Sequence, residues 1–156
     1  MNILALDVGD KRIGVAVCDE AGLIASPLTV IQRTAKAQDF ARIARLVREQ
    51  GVGLLVVGQP LNDDGRAGPQ AQRIERYAAA LLVALRDEGL DLPLALWDES
   101  LSTQRAQEAM IASGRKARAR RARIDAVAAA FILQDYVDAQ RLSTGEAGSQ
   151  NRPAAP

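Results

Sequence analysis

The stretch Asn2-Ile3-Leu4-Ala5-Leu6-Asp7-Val8-Gly9-Asp10-Lys11-Arg12-Ile13-Gly14-Val15-Ala16-Val17-Cys18 reads as two strands folded back on each other. Residues 2–6 are a short apolar run closed by Asp7. Val8-Gly9-Asp10-Lys11 has turn chemistry, because Gly9 and Asp10 tolerate backbone angles that other residues avoid. Beyond the turn, Ile13, Val15 and Val17 alternate with Gly14, Ala16 and Cys18, the period of two of a returning strand. Glu20-Ala21-Gly22 marks another turn. Residues 23–31 read as a third strand, at a sheet edge because Pro27 has no amide hydrogen to donate.

The period then changes. Phe40, Ile43, Ala44 and Val47 recur at helical spacing and stop near Gly51. The continuous apolar run 54–57, between Gly53 and Gly58, predicts a strand buried on both faces. Residues 62–68 form a polar loop, and Pro69 suits the first position of a helix that buries Ile74, Tyr77, Ala78, Leu81, Leu82 and Leu85. Residues 92–97 are another strand, ending in Asp98-Glu99. Ser102 or Thr103 can cap a helix to about Ile111. A last helix from near Ile124 is expected to carry Val127, Phe131 and Ile132 inward. Three antiparallel strands followed by alternating strands and helices predict an α/β fold, a mixed five-stranded sheet with helices on both faces. The folded domain is expected over residues 1–142. Residues 143–156, small and polar with two prolines, are expected to be a disordered tail.

Composition narrows the chemistry. The 156 residues are 48% apolar and 25% charged, as in an ordinary globular domain with a real core. Aromatics at 3% are too few for a platform of stacked bases. Cys18 stands alone, which excludes a disulfide framework and a cysteine zinc site. Histidine is absent, which excludes Ser-His-Asp and Cys-His mechanisms and His-ligated metals. An enzyme of this composition works with carboxylates, Lys, Tyr or a hard cation, and carboxylate oxygens suit magnesium or manganese. With no leader-like start and no apolar run near the roughly 20 residues of a membrane helix, a cytoplasmic protein without a membrane partner is expected.

Three acids occupy suggestive places. Asp7 ends the first strand, Glu99 follows a later one, and Asp125 opens the last helix. Ligands gather at the carboxyl ends of parallel strands. Asp7 and Glu99 share that rim if their strands are parallel neighbours, and Asp125 joins them if the last helix crosses the sheet. Ala128 and Ala129, three and four residues on, keep its face small enough for close approach. Three gathered carboxylates repel and raise one another's pKa unless a cation neutralises them. A cation pair so held activates water and stabilises the leaving oxygen in phosphodiester cleavage. The same residues also read as an ordinary turn residue and a helix cap. Six of the nine residues 115–123 are basic: Arg115, Lys116, Arg118, Arg120, Arg121 and Arg123. Such a run is either solvated surface or a grip on a phosphate backbone. Lys11 and Arg12 are further candidate phosphate contacts.

Four segments, in order, carry a resemblance: Leu4-Ala5-Leu6-Asp7-Val8-Gly9-Asp10-Lys11-Arg12-Ile13-Gly14-Val15-Ala16; Val56-Val57-Gly58-Gln59-Pro60-Leu61-Asn62 with Asp64-Gly65; Asp98-Glu99-Ser100-Leu101-Ser102-Thr103; and Ile124-Asp125-Ala126-Val127-Ala128-Ala129. Together they resemble the YqgF family, also called RuvX, of Holliday-junction resolvases and pre-16S rRNA nucleases, from Ile3 to Tyr136. The resemblance implies a ribonuclease-H-like fold. It also implies a magnesium- or manganese-dependent endonuclease in which Asp7, Glu99 and Asp125 are the catalytic, metal-holding acids. The implied substrate is structured nucleic acid, either precursor rRNA or a four-way DNA junction. Symmetric resolution of a junction would call for a homodimer. Strand alternation points Asp98 and Glu99 to opposite faces, and the resemblance selects Glu99. The chain departs from the family at Asp10, often Thr or Ser, at Gln59, often Leu, and at Ser100, often Arg. Two other readings remain: a non-catalytic RNA-binding assembly protein, and an ATP-dependent phosphotransferase of actin-like fold, whose hairpin also carries Asp-x-Gly.

Overall fold

A computed structural model describes residues 1–19, 21, 24–99 and 117–150, with 117–123 and 144–150 described by their backbone alone. Strands β1 (Asn2–Val8), β2 (Arg12–Cys18) and β3 (Ala25–Gln32) come first. Helix α1 (Lys36–Glu49), strand β4 (Val52–Gln59), helix α2 (Pro69–Asp87) and strand β5 (Leu94–Asp98) follow. Helix α3 (Ala117–Gln150) closes the described chain. The helix expected over 102–111 lies outside the described residues.

The five strands form one mixed sheet in the order β3-β2-β1-β4-β5. β1, β2 and β3 pair antiparallel, whereas β4 runs parallel to both β1 and β5. β3 is an edge strand, and Pro27 sits there opposite Ala16, beside a shift of register, where a missing amide hydrogen is tolerated. β1 and β5 both run parallel to β4 but are not neighbours, because β4 lies between them. The condition for Asp7 and Glu99 to share a rim is thus met through β4 rather than directly.

Alternation divides the sheet into two apolar faces. Leu4, Leu6 and Val8 of β1 join Leu55 and Val57 of β4 on one side. There they meet Phe40, Ile43, Ala44 and Val47 of α1 and Ile74, Tyr77, Leu81 and Leu85 of α2. Leu82 is half-buried rather than fully inside. On the other side Ala5, Ala16, Cys18 and Val56 face Ala129, Ile132, Leu133 and Val137 of α3. Ile132 is buried as expected, whereas Val127 and Phe131 are half-buried, which corrects those two positions. The face that docks runs through Ala128, Ala129, Ile132 and Leu133, one i, i+4 stripe down from Asp125. The α3 backbone is helical through 143–150, part of the segment read from sequence as a tail, and residues 151–156 lie outside the described residues. No helix among the described residues is long and apolar enough to cross a membrane.

Gly14 sets how closely α3 lies on the sheet. A Cβ there would fall 1.8 Å from the Asp125 carbonyl oxygen and 2.2 Å from its carbon. Backbone, unlike a flexible side chain, cannot swing aside. Gly14→Ala is therefore expected to lower stability by about 3 kcal/mol, the upper end of ordinary overpacking, measured by urea unfolding. A loss below about 1 kcal/mol would mean that α3 does not press on β2 at this point.

Candidate active site

The alternation that buries Leu4, Leu6 and Val8 on the α1–α2 face sends Ala5 and Asp7 to the α3 face. The β1–β4 ladder ends at Leu6–Val57, which puts Asp7 beside Gly58 in the continuing register. At the other edge of β4, Gln59 pairs with Asp98. The Glu99 amide then donates to the Gln59 carbonyl at 3.1 Å and extends the ladder by one residue. Glu99 thus shares the α3 face with Trp97, while Asp98 is exposed on the other.

Asp7 and Glu99 stand on strands separated by β4, hence about 9–10 Å apart at the backbone. They meet because the position between them is empty. A Cβ on Gly58 would lie 2.4 Å from Glu99 Oε2 and 2.7 Å from Ile132 Cδ1. The Glu99 side chain fills that gap and shares a side-chain hydrogen bond with Asp7.

Two carboxyl groups can share a hydrogen bond while one of them keeps its proton. Burial raises the Asp7 pKa above the ordinary value; contact with Glu99 opposes the rise and the charge of Asp125 adds to it. Glu99 is pushed up to about 9, first by burial and then by the charge of Asp7, the shared hydrogen bond and Asp98. The cation-free pair thus favours keeping one proton between its two carboxyl groups. Glu99 Oε2 is buried with no hydrogen-bond donor facing it.

Asp125 comes to the same rim, where its backbone rests on Gly14. Its carboxylate is turned to Arg12, whose Nε donates to Oδ2 at 2.7 Å. The three acids are therefore neighbours without forming a closed ligand cage, and no group of three such ligands is in place among the described residues. The donor set nonetheless fits a hard divalent cation. All its atoms are carboxylate oxygens, one is buried and unsatisfied, and the Asp7–Glu99 pair needs a positive charge, from a proton or a metal, to stay together.

The other candidates are placed as follows. Lys11 is exposed at the β1–β2 turn. Arg12 is already paired with Asp125 rather than free toward solvent. Arg115 and Lys116 lie outside the described residues, whereas Arg118, Arg120, Arg121 and Arg123 sit on helical backbone in the first turns of α3. Sequence reading missed Arg33, whose Nη1 donates to the Gly9 carbonyl at 2.7 Å and ties down the turn after Asp7. Gln59, noted in the sequence as a departure from the family, is buried with its Nε2 donating to Glu75 Oε1 at 2.8 Å, a contact the sequence did not announce. The role of Gly58 had a signal: glycine at the end of a buried strand often marks a close approach.

Comparison with known proteins places these features in context. A family model described as RuvX, Holliday junction resolvase, matches residues 1–139. A protein of Thermoanaerobacter pseudethanolicus named "Putative pre-16S rRNA nuclease" is 44% identical over 142 residues, covering 90% of this chain and 99% of the relative. A protein of the same name from Syntrophus aciditrophicus is 45% identical over 139 residues, 89% of each chain. Among solved structures, T. thermophilus RuvC in complex with Holliday junction substrate superposes with a TM-score of 0.54 at 19% identity, over 90% of this chain and 96% of that one. The fowlpox virus resolvase bound to junction DNA gives a TM-score of 0.51 at 11% identity, over 90% and 99%. These likenesses fix the fold as ribonuclease-H-like.

The carboxyl pair has a measurable cost. Below its ordinary value of 4.5, Glu99 is protonated in both folded and unfolded chains; as pH rises toward about 9 the unfolded chain alone loses the proton, and the fold loses stability. Glu99→Gln is therefore expected to raise the melting temperature of the metal-free protein at pH 7 by at least about 2–4 °C, the equivalent of 1 kcal/mol for a domain of this size. The gain should vanish below pH 4.5. A lower melting temperature for the variant at pH 7 would contradict the buried, protonated pair.

Proposed function

The chain belongs to the RuvX family, and from that membership we propose that Asp7, Glu99 and Asp125 are the metal-ligating and catalytic acids of its nuclease activity. The observation that carries the proposal is the meeting of Asp7 and Glu99 across Gly58, with Glu99 Oε2 buried and unsatisfied. The cations would be magnesium or manganese, held by Asp7 and Glu99 and completed by Asp125. A divalent cation there supplies Lewis-acid polarisation of the phosphate and a more acidic water.

The chain's own groups do the rest. Asp7 and Glu99 are the groups that would hold the cation, and losing the proton they share would leave both carboxylates free to do so. Arg12 holds Asp125 in reserve at the rim, and an arriving phosphate competes for the same guanidinium, freeing the carboxylate. Lys11 and the basic run Arg115, Lys116, Arg118, Arg120, Arg121 and Arg123 grip the backbone without reading sequence. The proposed substrate is structured nucleic acid in the cytoplasm. The relatives' name supports precursor 16S rRNA, and the family description supports a four-way junction, which two copies of the chain would cut symmetrically. The hydrolytic family sets aside the phosphotransferase reading.

Cleavage of junction DNA and precursor rRNA, assayed side by side, is expected to need magnesium or manganese and to stop in excess chelator. Asp7→Asn, Glu99→Gln and Asp125→Asn should each lower the rate by about two or more orders of magnitude, as loss of a charge-stabilising group does, while substrate binding persists. Asp98→Asn, on the exposed face, should cut normally. Normal cutting by all three acid variants would place the active site elsewhere.

A further inference from the structure

Two buried side-chain atoms among the described residues lack a hydrogen-bond partner. One is Glu99 Oε2, at the site above. The other is the Tyr77 hydroxyl, on the opposite face of the sheet. Tyr77 is among the residues that line a cavity of about 260 Å³, with Val8, Gly9, Asp10, Arg33, Lys36, Arg73 and Arg76, and its hydroxyl is buried behind that wall. Asp7 and Val8 are consecutive in β1 and point to opposite faces, so the cavity and the carboxylates flank the same turn.

The charge in this cavity is one-sided. Four cations face it against a single carboxylate, Asp10. Arg73 and Arg76 stand three residues apart on α2 and so share a face. Arg33 is fixed in advance, by the Gly9 carbonyl at 2.7 Å and by the Tyr77 ring 5.2 Å beneath its guanidinium. Nearby acids are engaged elsewhere: Asp39 accepts from Thr34, and Glu75 from Gln59. Among the described residues, Lys36, Arg73 and Arg76 have no ion-pair partner. Like charges gathered round a concave wall repel one another until an anion enters. Burial, partly offset by Arg33 and reinforced by Asp39, raises the Tyr77 pKa to about 12, so its hydroxyl stays a donor. An oxyanion would supply the acceptor it lacks.

We propose that the cavity formed by Arg33, Lys36, Arg73, Arg76 and Tyr77 is a second phosphate-binding site, which takes a backbone or terminal phosphate of the same nucleic-acid strand that enters the carboxylate site. Its volume is below the roughly 300–1,000 Å³ of pockets that enclose drug-sized ligands, which suits a phosphoryl group and part of its sugar. A strand passing over the β1–β2 turn would be held on both sides of it, and this second hold would fix which phosphate lies over Asp7 and Glu99. The inference rests on the nuclease reading for its ligand but is tested without cleavage, so the two fail separately.

The test uses the full chain in chelator, with a four-way DNA junction and inorganic phosphate as separate probes. The variant Arg73→Gln/Arg76→Gln, on exposed positions of α2, should melt as the parent does. It should bind the junction more weakly, with the log–log salt slope reduced by about one to two units, about 0.9 per lost phosphate contact. Inorganic phosphate should shift amide resonances around Tyr77 in the parent and leave them unmoved in the double variant. Tyr77→Phe, which keeps the ring under Arg33, should weaken phosphate binding by about two- to tenfold, the worth of one hydrogen bond. It should leave the melting temperature in phosphate-free buffer equal or higher. An unchanged salt slope with phosphate still bound by the parent would make this a site for free phosphate and overturn the strand assignment. An unchanged slope without phosphate shifts, or a parent that does not bind the junction in chelator, would overturn the site altogether.

Discussion

Two carboxyl groups from strands that do not touch are held together over a glycine, and the rest of the site follows from that contact. Asp7 and Glu99 would repel if both were ionised, and burial on the α3 face deepens the penalty. Exposed to water, the pair would drift apart. Here β4 fixes their spacing, Gly58 leaves the space, and α3 closes the lid with Ile132. The penalty is the useful part: a site that disfavours its own charges when empty is one that favours a dication.

The same economy of side-chain volume governs how α3 is seated. Gly14 brings the Asp125 backbone onto β2, Ala129 packs in one cluster with Ala5 and Ala16, and Ala128 is buried beside it. A helix docked through small residues cannot rock far, since interiors pack nearly as densely as crystals. Asp125 is thus delivered to the rim by main-chain contact, and its carboxylate is held there by Arg12. The placing of this proposed catalytic acid and the packing of the helix are the same set of contacts, and a change that loosens α3 moves Asp125.

Much of this was legible in the sequence, and the limits have physical causes. The alternation of residues 13–18 and the helical spacing of Phe40, Ile43, Ala44 and Val47 are local signals, and they placed the hairpin and α1. Pro27 marked the edge. The position of β4 between β1 and β5 is a choice of strand order that no local pattern encodes. The pairing of Arg12 with Asp125 spans 113 residues of sequence, and nothing in either neighbourhood announces it. The inward face of α3 was misread at two large residues, Val127 and Phe131. The docking stripe instead takes Ala128 and Ala129 near Asp125, where the helix lies closest, and Ile132, Leu133 and Val137 farther on. The basic cavity assembles residues from β1, α1 and α2, from the β1–β2 turn and from the segment after β3, so it exists only in the folded chain. The three acids themselves came from motif order, with alternation narrowing Asp98 and Glu99 to one.

The central claim is that Gly58 makes the metal site possible by letting Glu99 reach Asp7 across β4. Its most direct test is the manganese affinity of Gly58→Ala, followed by the paramagnetic signal of free manganese. One added methyl at 2.4 Å from Glu99 Oε2 should displace that carboxyl and weaken manganese binding by about tenfold or more, as loss of a ligand's supporting shell does, in a protein that still unfolds cooperatively. Parent-like affinity in the folded variant would mean that the two acids do not need the gap, and the account of the site would be wrong.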